Sequence, residues 1–214
     1  MELFLIRHGQ SQNNARPREE RVEDAPLTEI GHQQCAHLAE WIPSLKLTQV
    51  VCSPFLRTLQ TADYVSQSLD LKPEVRIELH EQGGCVSGPV PDAPVGQPGM
   101  TRSEIRGQYP RYNIAPDIDE DGWWGSKPFE TGQAAELRAA RLVAQTVEEF
   151  AGTSERVAYV MHADIGRQVL LQLDPIPRDV LFNTSVTELK VTGDSCQLEQ
   201  YNLVAHLPPD LRTF

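Results

Sequence analysis

Residues 3–6, Leu-Phe-Leu-Ile, run straight into Arg7-His8-Gly9 with no polar spacer. An unbroken apolar run, without alternation, predicts a strand buried on both faces. Such strands belong to sheets covered by helices on both sides, which points to an α/β class. The run also puts a cation, a nitrogen nucleophile and a flexible residue at the carboxyl end of a rigid support. That is the edge where open α/β sheets bind ligands.

The rest of the chain repeats the pattern. Residues 49–52 and 157–161 are further apolar runs, and strands are also predicted over 75–79, 186–191 and 197–203. Cys35, Leu38, Ala39 and Ile42 recur at helical spacing, with Thr28 as N-cap and Pro43 closing the run. Ser53-Pro54 predicts the start of a second helix, Ser as N-cap and Pro at the first helical position, reaching about residue 69. A long helix is expected over 131–150, with Leu137, Ala140, Ala144, Val147 and Phe150 on one side. Another follows His162 and continues through residue 170, and residues 13–25 read as a polar loop. Strands alternating with helices predict a three-layer α/β/α sandwich with a mostly parallel central sheet.

Residues 83–130 differ in character. They are rich in Gly and Pro, carry the adjacent Trp123 and Trp124, and show one helical candidate, over 102–109. A stretch of this length is characteristic of a functional cap or lid. The expected organisation is one domain over 1–214 with a cap inserted at about 83–130.

Acids outnumber Lys plus Arg by 30 to 19, a formal charge of −11. Without a basic excess to replace counterions, nucleic acid is not an expected partner. No stretch approaches the length of a membrane span, and with a first strand expected from residue 2, no basic n-region or cleavage site is expected. Cys35, Cys52, Cys85 and Cys196 form no CxxC pair and read as reduced thiols, so a cytoplasmic location is expected. His32, Cys35 and His37 do not suggest a metal site, because residues five apart do not share a helix face.

Three strand ends carry chemistry. The first gives Arg7 and His8, the second gives Ser53-Pro54-Phe55-Leu56-Arg57, and the late one gives His162. In a parallel sheet these ends share one edge. Two Arg, two His and two positive helix ends would make a strong anion site. Arg57 in a first helical turn is unfavourable against the dipole unless an anion sits beside it.

Leu5-Ile6-Arg7-His8-Gly9-Gln10-Ser11, followed by Asn14, resembles the signature of the histidine phosphatase superfamily, the phosphoglycerate-mutase-like fold. Pro26-Leu27-Thr28-Glu29-Ile30-Gly31 with Gln34 resembles its first helix. Ser53-Pro54-Phe55-Leu56-Arg57-Thr58-Leu59-Gln60-Thr61-Ala62 resembles its second block. Val160-Met161-His162, Asn183-Thr184-Ser185-Val186-Thr187 and the stretch from Asn202 to His206-Leu207 match later blocks in order.

The resemblance implies a phosphomonoester hydrolase working through a phosphohistidine, on a small phosphorylated metabolite. It makes His8 the nucleophile, with Arg7, Arg57 and His162 around the phosphoryl oxygens. Asn14, Gln10, Ser11 and Ala163 would line the substrate side. Glu81, after the third strand, matches the proton donor that later activates water. Arg102 is the candidate substrate contact from the cap, where Arg106, Arg111 and Lys127 add cations that suggest a second anionic group on the substrate. No metal or other cofactor is expected, and a homodimer is left open. Two alternatives stand: a phosphoglycerate-type mutase, and an inactive module that binds a phosphorylated ligand. The mutases continue Glu-Arg-His-Tyr-Gly at the acid, whereas Glu81 is followed by Gln82-Gly83-Gly84. Asp164 departs from the small or glycine-rich step usual after the second histidine, and His206 reads as structural.

Overall fold

The computed structural model describes residues 1–88, 93–173, 180–193 and 195–214, with only the backbone of Ser195. Strand β1 (Glu2–Arg7) is followed by α1 (Gln12–Ala15), α2 (Glu29–Trp41), β2 (Gln49–Cys52), α3 (Leu56–Leu69) and β3 (Glu74–Val75). Short strands β4 (Val86–Ser87) and β5 (Val95–Gly96) come next, then α4 (Arg102–Gln108) and β6 (Asn113–Ile114). The chain continues through α5 (Gly132–Phe150), β7 (Arg156–Met161), α6 (Ala163–Leu170), β8 (Val186–Thr192) and β9 (Ser195–Leu203).

Seven strands form one sheet in the order β6-β3-β2-β7-β1-β8-β9. The first five run parallel, and β8 and β9 complete the sheet with antiparallel pairings. The α/β expectation therefore holds. Side chains alternate along β1, so Phe4 and Ile6 enter a core with Leu38 and Leu59, from α2 and α3. Leu3 and Leu5 enter a second core with Leu142, Ile165 and Val169, from α5 and α6. Burial on both faces is why the run carries no polar residue.

Several expected elements shift. Helix α3 begins at Leu56 with Phe55 as N-cap, not at Ser53-Pro54. Ser53 Oγ is engaged with His162, and the carboxylate of Asp24 accepts the Leu56 N–H (2.9 Å) in place of a local cap. The strand expected over 75–79 is cut to Glu74–Val75, and Ile77–Leu79 forms a 3-10 turn. Residues 12–15 are helical rather than loop, closed by a capping box of Ser11 and Asn14. The buried face of α5 is not the one expected. Ala135, Arg138, Ala139, Leu142, Thr146 and Phe150 are buried, and Leu137 is 56% exposed. Arg138 and Thr146 face inward because partners satisfy their polar atoms; Thr146 hydrogen-bonds Tyr159 at 2.9 Å.

Within residues 83–130, β6 joins the edge of the main sheet, while β4 and β5 form a separate two-stranded sheet. Cys85, Ile105, Ile118, Trp123 and Trp124 pack into the same core as α2 and α3.

Candidate active site

Register brings the three strand ends together. Arg7 pairs with Met161 and Cys52 with Val160, so His8, His162 and Ser53 all emerge on one edge. The rings of His8 and His162 lie 5.1 Å apart, edge to face. Both histidines are buried.

The tautomer of His8 follows from its contacts. Nδ1 lies 2.6 Å from the Gly9 carbonyl oxygen, which can only accept, so Nδ1 carries the proton. Nε2 then holds the lone pair and accepts from Arg57 Nε–H at 3.2 Å. Burial pushes the His8 pKa well below its ordinary value, and the charges of Arg57 and Arg7 push it the same way. His8 is thus a neutral imidazole with Nε2 turned toward a guanidinium. His162 is also driven neutral, by burial first and then by Arg57. Its Nε2 meets Ser53 Oγ at 2.8 Å, and its Nδ1 is buried without a hydrogen-bond partner among the described residues.

Arg57 is fixed from two more sides. Its guanidinium lies 4.1 Å from the Phe55 ring centroid and 3.9 Å from Asp24 Oδ1. Arg7 donates through Nη1 to the Leu181 carbonyl. Burial lowers its pKa to about 10, with Glu81 and Asp164 opposing that shift and Arg57 adding to it. Arg7, Arg57 and Glu81 therefore act on one another electrostatically.

Glu81 caps α6. Its Oε1 accepts from Ile165 N–H (3.0 Å) and Gln82 N–H (2.9 Å), and Oε2 from Asp164 N–H (3.3 Å). Burial raises its pKa and the Asp164 carboxylate raises it further, against the pull of Arg57 and two of those amides. Ala163 is the first residue of α6, directly after His162.

The loop after β1 is held by side chains from two helices. Gly9 N–H donates to Thr61 Oγ1 (3.1 Å) and Gln10 N–H to Gln34 Oε1 (2.8 Å). A Cβ on Gly9 would lie 2.8 Å from both Cys35 Sγ and the Gly31 carbonyl oxygen, so the loop lies flat against α2.

Other expected contacts also take part in hydrogen bonds within the protein. Gln10 Oε1 accepts from Thr28 Oγ1 (2.7 Å), and Asn14 Oδ1 accepts from Ser11. Arg102 Nε donates to the Ile118 carbonyl (2.8 Å) and its Nη2 to Ala115 (2.6 Å), so these two groups of the guanidinium brace its own segment. Arg111 is paired with Asp70, and Lys127 lies over the Trp124 ring. His206 stacks on Trp41 and meets Thr184 Oγ1 at 3.1 Å, as a structural residue does.

Two side chains of the site escape single-residue reading. Asp24 ties Arg57 to the start of α3, with Oδ2 buried and unpartnered among the described residues. Asn183 donates to the His8 carbonyl (3.1 Å), which fixes the backbone of the nucleophile. Asn183 is visible in sequence as part of a late block, while Asp24 is one acid among several in a polar stretch.

The comparisons agree with this architecture. A "Probable phosphoglycerate mutase GpmB" of Photorhabdus laumondii is 34% identical over 84 residues, 37% of this chain and 39% of that protein. The GpmB of Salmonella typhi is 28% identical over 109 residues, 50% of this chain and 51% of that protein. The aligned part thus spans only about two fifths to one half of these relatives. Bacillus stearothermophilus YhfR superposes with a TM-score of 0.69 at 24% identity, over 96% of this chain and 98% of that one. A mycobacterial glucosyl-3-phosphoglycerate phosphatase complexed with VO3 gives a TM-score of 0.66 at 21% identity, over 95% and 99%. These two likenesses show a shared fold. The family model of the histidine phosphatase superfamily, branch 1, matches residues 3–204, and the chain belongs to that superfamily.

Proposed function

We propose that the protein hydrolyses a small phosphomonoester through a phosphohistidine on His8. One observation carries this reading: His8 is a buried neutral imidazole whose unprotonated Nε2 faces the Arg57 guanidinium. A lone pair held beside a fixed cation suits attack on a phosphoryl group that the same cation binds.

In the first step Nε2 attacks phosphorus as the ester P–O bond breaks, and Glu81 gives its proton to the departing oxygen. Arg7 and Arg57 stabilise the charge on the transferring oxygens. A phosphate dianion beside Glu81 adds to the effects that already raise its pKa, which favours the acid form when substrate is present. In the second step water attacks phosphorus, Glu81 takes the water proton, and Nε2 leaves with the electron pair of the P–N bond. The arginines supply the positive charge, and this route uses no metal or other cofactor.

The substrate remains a class. Arg102 and Arg111 hydrogen-bond within the protein, which weakens the support that these two of the four cations give to a second anionic group. Resemblance to relatives named as probable phosphoglycerate mutases keeps a mutase as second reading. The test is a panel of phosphate esters, phosphoglycerates included, with released phosphate and isomerised product both measured. Free phosphate that is lost in His8→Ala supports hydrolysis. Isomerisation without free phosphate would establish the mutase. Full activity in His8→Ala would refute the assignment of the nucleophile. Arg57→Ala should cost roughly 10²–10³ in rate.

A further inference from the structure

Arg138 is a buried cation that the reaction does not use. It comes from α5, faces the core and is 6% exposed. Its Nε and Nη2 grip the Glu130 carboxylate in a two-pronged pair, at 2.8 Å to Oε1 and 2.6 Å to Oε2. Its Nη1 donates to the carbonyls of Glu78 (2.6 Å) and His80 (3.0 Å), just before Glu81 in the chain. Glu130 reaches the same segment, because its N–H donates to the Gly83 carbonyl (3.0 Å).

His80 completes the arrangement. Its Nδ1 lies 2.6 Å from the Ile77 carbonyl, its Nε2 lies 3.5 Å from Glu130 Oε2, and its ring packs against Trp124 at 5.0 Å. The backbone from 77 to 83 is thereby fixed at its carbonyls, and the carboxyl in it that turns to the α6 amides is Glu81.

We propose that Glu130 and Arg138 form a positioning clamp that sets where the Glu81 carboxyl stands against the transferring phosphoryl group. The proposal rests on Glu81 being the proton donor. An ion pair this enclosed adds little to stability, since desolvating both charges offsets most of their attraction. What the two-pronged grip provides is fixed geometry. Burial opposes ionisation of Glu130, but Arg138 and His80 outweigh it and bring the pKa down to about 2. The clamp therefore stays charged throughout the range in which Glu81 would exchange its proton.

A misplaced acid has a signature that general loosening lacks: only reluctant leaving groups need its proton. The experiment uses the full chain and a series of aryl and benzyl phosphates of similar shape, from para-nitrophenyl to benzyl. Three variants are measured for kcat/KM and for the single-turnover rate of His8 phosphorylation: Arg138→Lys, Glu130→Gln and Glu81→Gln. In Arg138→Lys the para-nitrophenyl ester should stay within about threefold of wild type, while the benzyl ester falls roughly 10²-fold, the lower end of what general acids contribute. Glu81→Gln should show the same slope more steeply. An equal loss across the series, or none, in Arg138→Lys would overturn the clamp. If Arg138→Lys does not fold, Glu130→Gln carries the same comparison. If neither folds, the pair is a stability element and the proposal is wrong. A flat series in Glu81→Gln would instead refute Glu81 as the acid, which separates that failure from failure of the clamp.

Discussion

At Asp24, burial outweighs the Arg57 charge 3.9 Å away and pushes the carboxyl pKa up to about 7 from an ordinary 3.8. The sign follows directly. A folded-state pKa above the unfolded one means that folding disfavours the ionised form, so the contribution of this group to stability is fully present below about pH 4 and is lost as pH rises through 7. Asp24→Asn keeps an oxygen for the Leu56 N–H but removes that charge. The variant should match wild type in thermal melts at pH 4 and be more stable by a few kcal/mol at pH 8, at about 1.4 kcal/mol per pKa unit. It should also lose roughly tenfold in kcat/KM, the effect of one charge-assisted contact to Arg57. A lower melting temperature at pH 8 would contradict the idea that this carboxylate is kept at the expense of stability. His8, Arg7, Arg57 and His162 are legible in sequence because each sits at or just beyond the end of an apolar run. Asp24 is not, because it acts on a group 32 residues away in sequence; Asn183 shows as part of a late block, but its hold on the His8 carbonyl, 175 residues away, does not.

Among the elements, α2 shows how closely packing controls the site. A Cβ on Gly31 would lie 2.1 Å from the Gln10 carbonyl oxygen, a clash with backbone that cannot rotate away. Gly31→Ala should destabilise by about 1–3 kcal/mol, as overpacking does, and lower activity by shifting the loop that follows His8. Gly107 makes the contrast. It lies in α4, and a Cβ there would meet nothing within 4 Å, so Gly107→Ala should stabilise by about 0.5–1 kcal/mol and leave kcat/KM unchanged. Chemical denaturation of the two variants checks both signs. The elements easiest to read are the long, strongly periodic ones, and the departures have specific causes. The buried face of α5 differs from the expected one because hydrophobic spacing cannot anticipate an inward arginine whose partner, Glu130, lies before the helix. The strand after α3 is shorter than its apolar residues suggest because Ile77 and Leu79 suit a 3-10 turn as well as a strand.

For the molecule as a whole, the site depends on both ends of the chain. Gln34, which holds Gln10 N–H, donates through Nε2 to the Leu211 carbonyl (2.7 Å) and to Thr213 Oγ1 (2.8 Å). Asn183, which holds the His8 carbonyl, donates its N–H to the Thr213 carbonyl (2.9 Å) and accepts from Thr213 Oγ1 (3.0 Å). None of this is legible in sequence, because the closing residues have no periodicity and their role is to satisfy polar groups of two distant segments. Removing residues 209–214 deletes these four hydrogen bonds, together with those of Leu211 to Pro208 and Arg212 to Leu207 and the buried Leu211 side chain. At about 1 kcal/mol per bond the four bonds to Gln34 and Asn183 alone account for about 4 kcal/mol. In a domain of this size that corresponds to a fall in Tm of roughly 8–16 °C. The same groups support His8 and Gln10, so kcat should fall even at temperatures where the truncated protein is fully folded by circular dichroism. Thr213→Val separates the two effects, since it removes the hydroxyl and leaves the backbone bonds. It should lose two of the four bonds, about half of the drop in Tm, and part of kcat. A truncated protein with unchanged kcat would mean that the supports of Gln34 and Asn183 are redundant for the loop that carries His8.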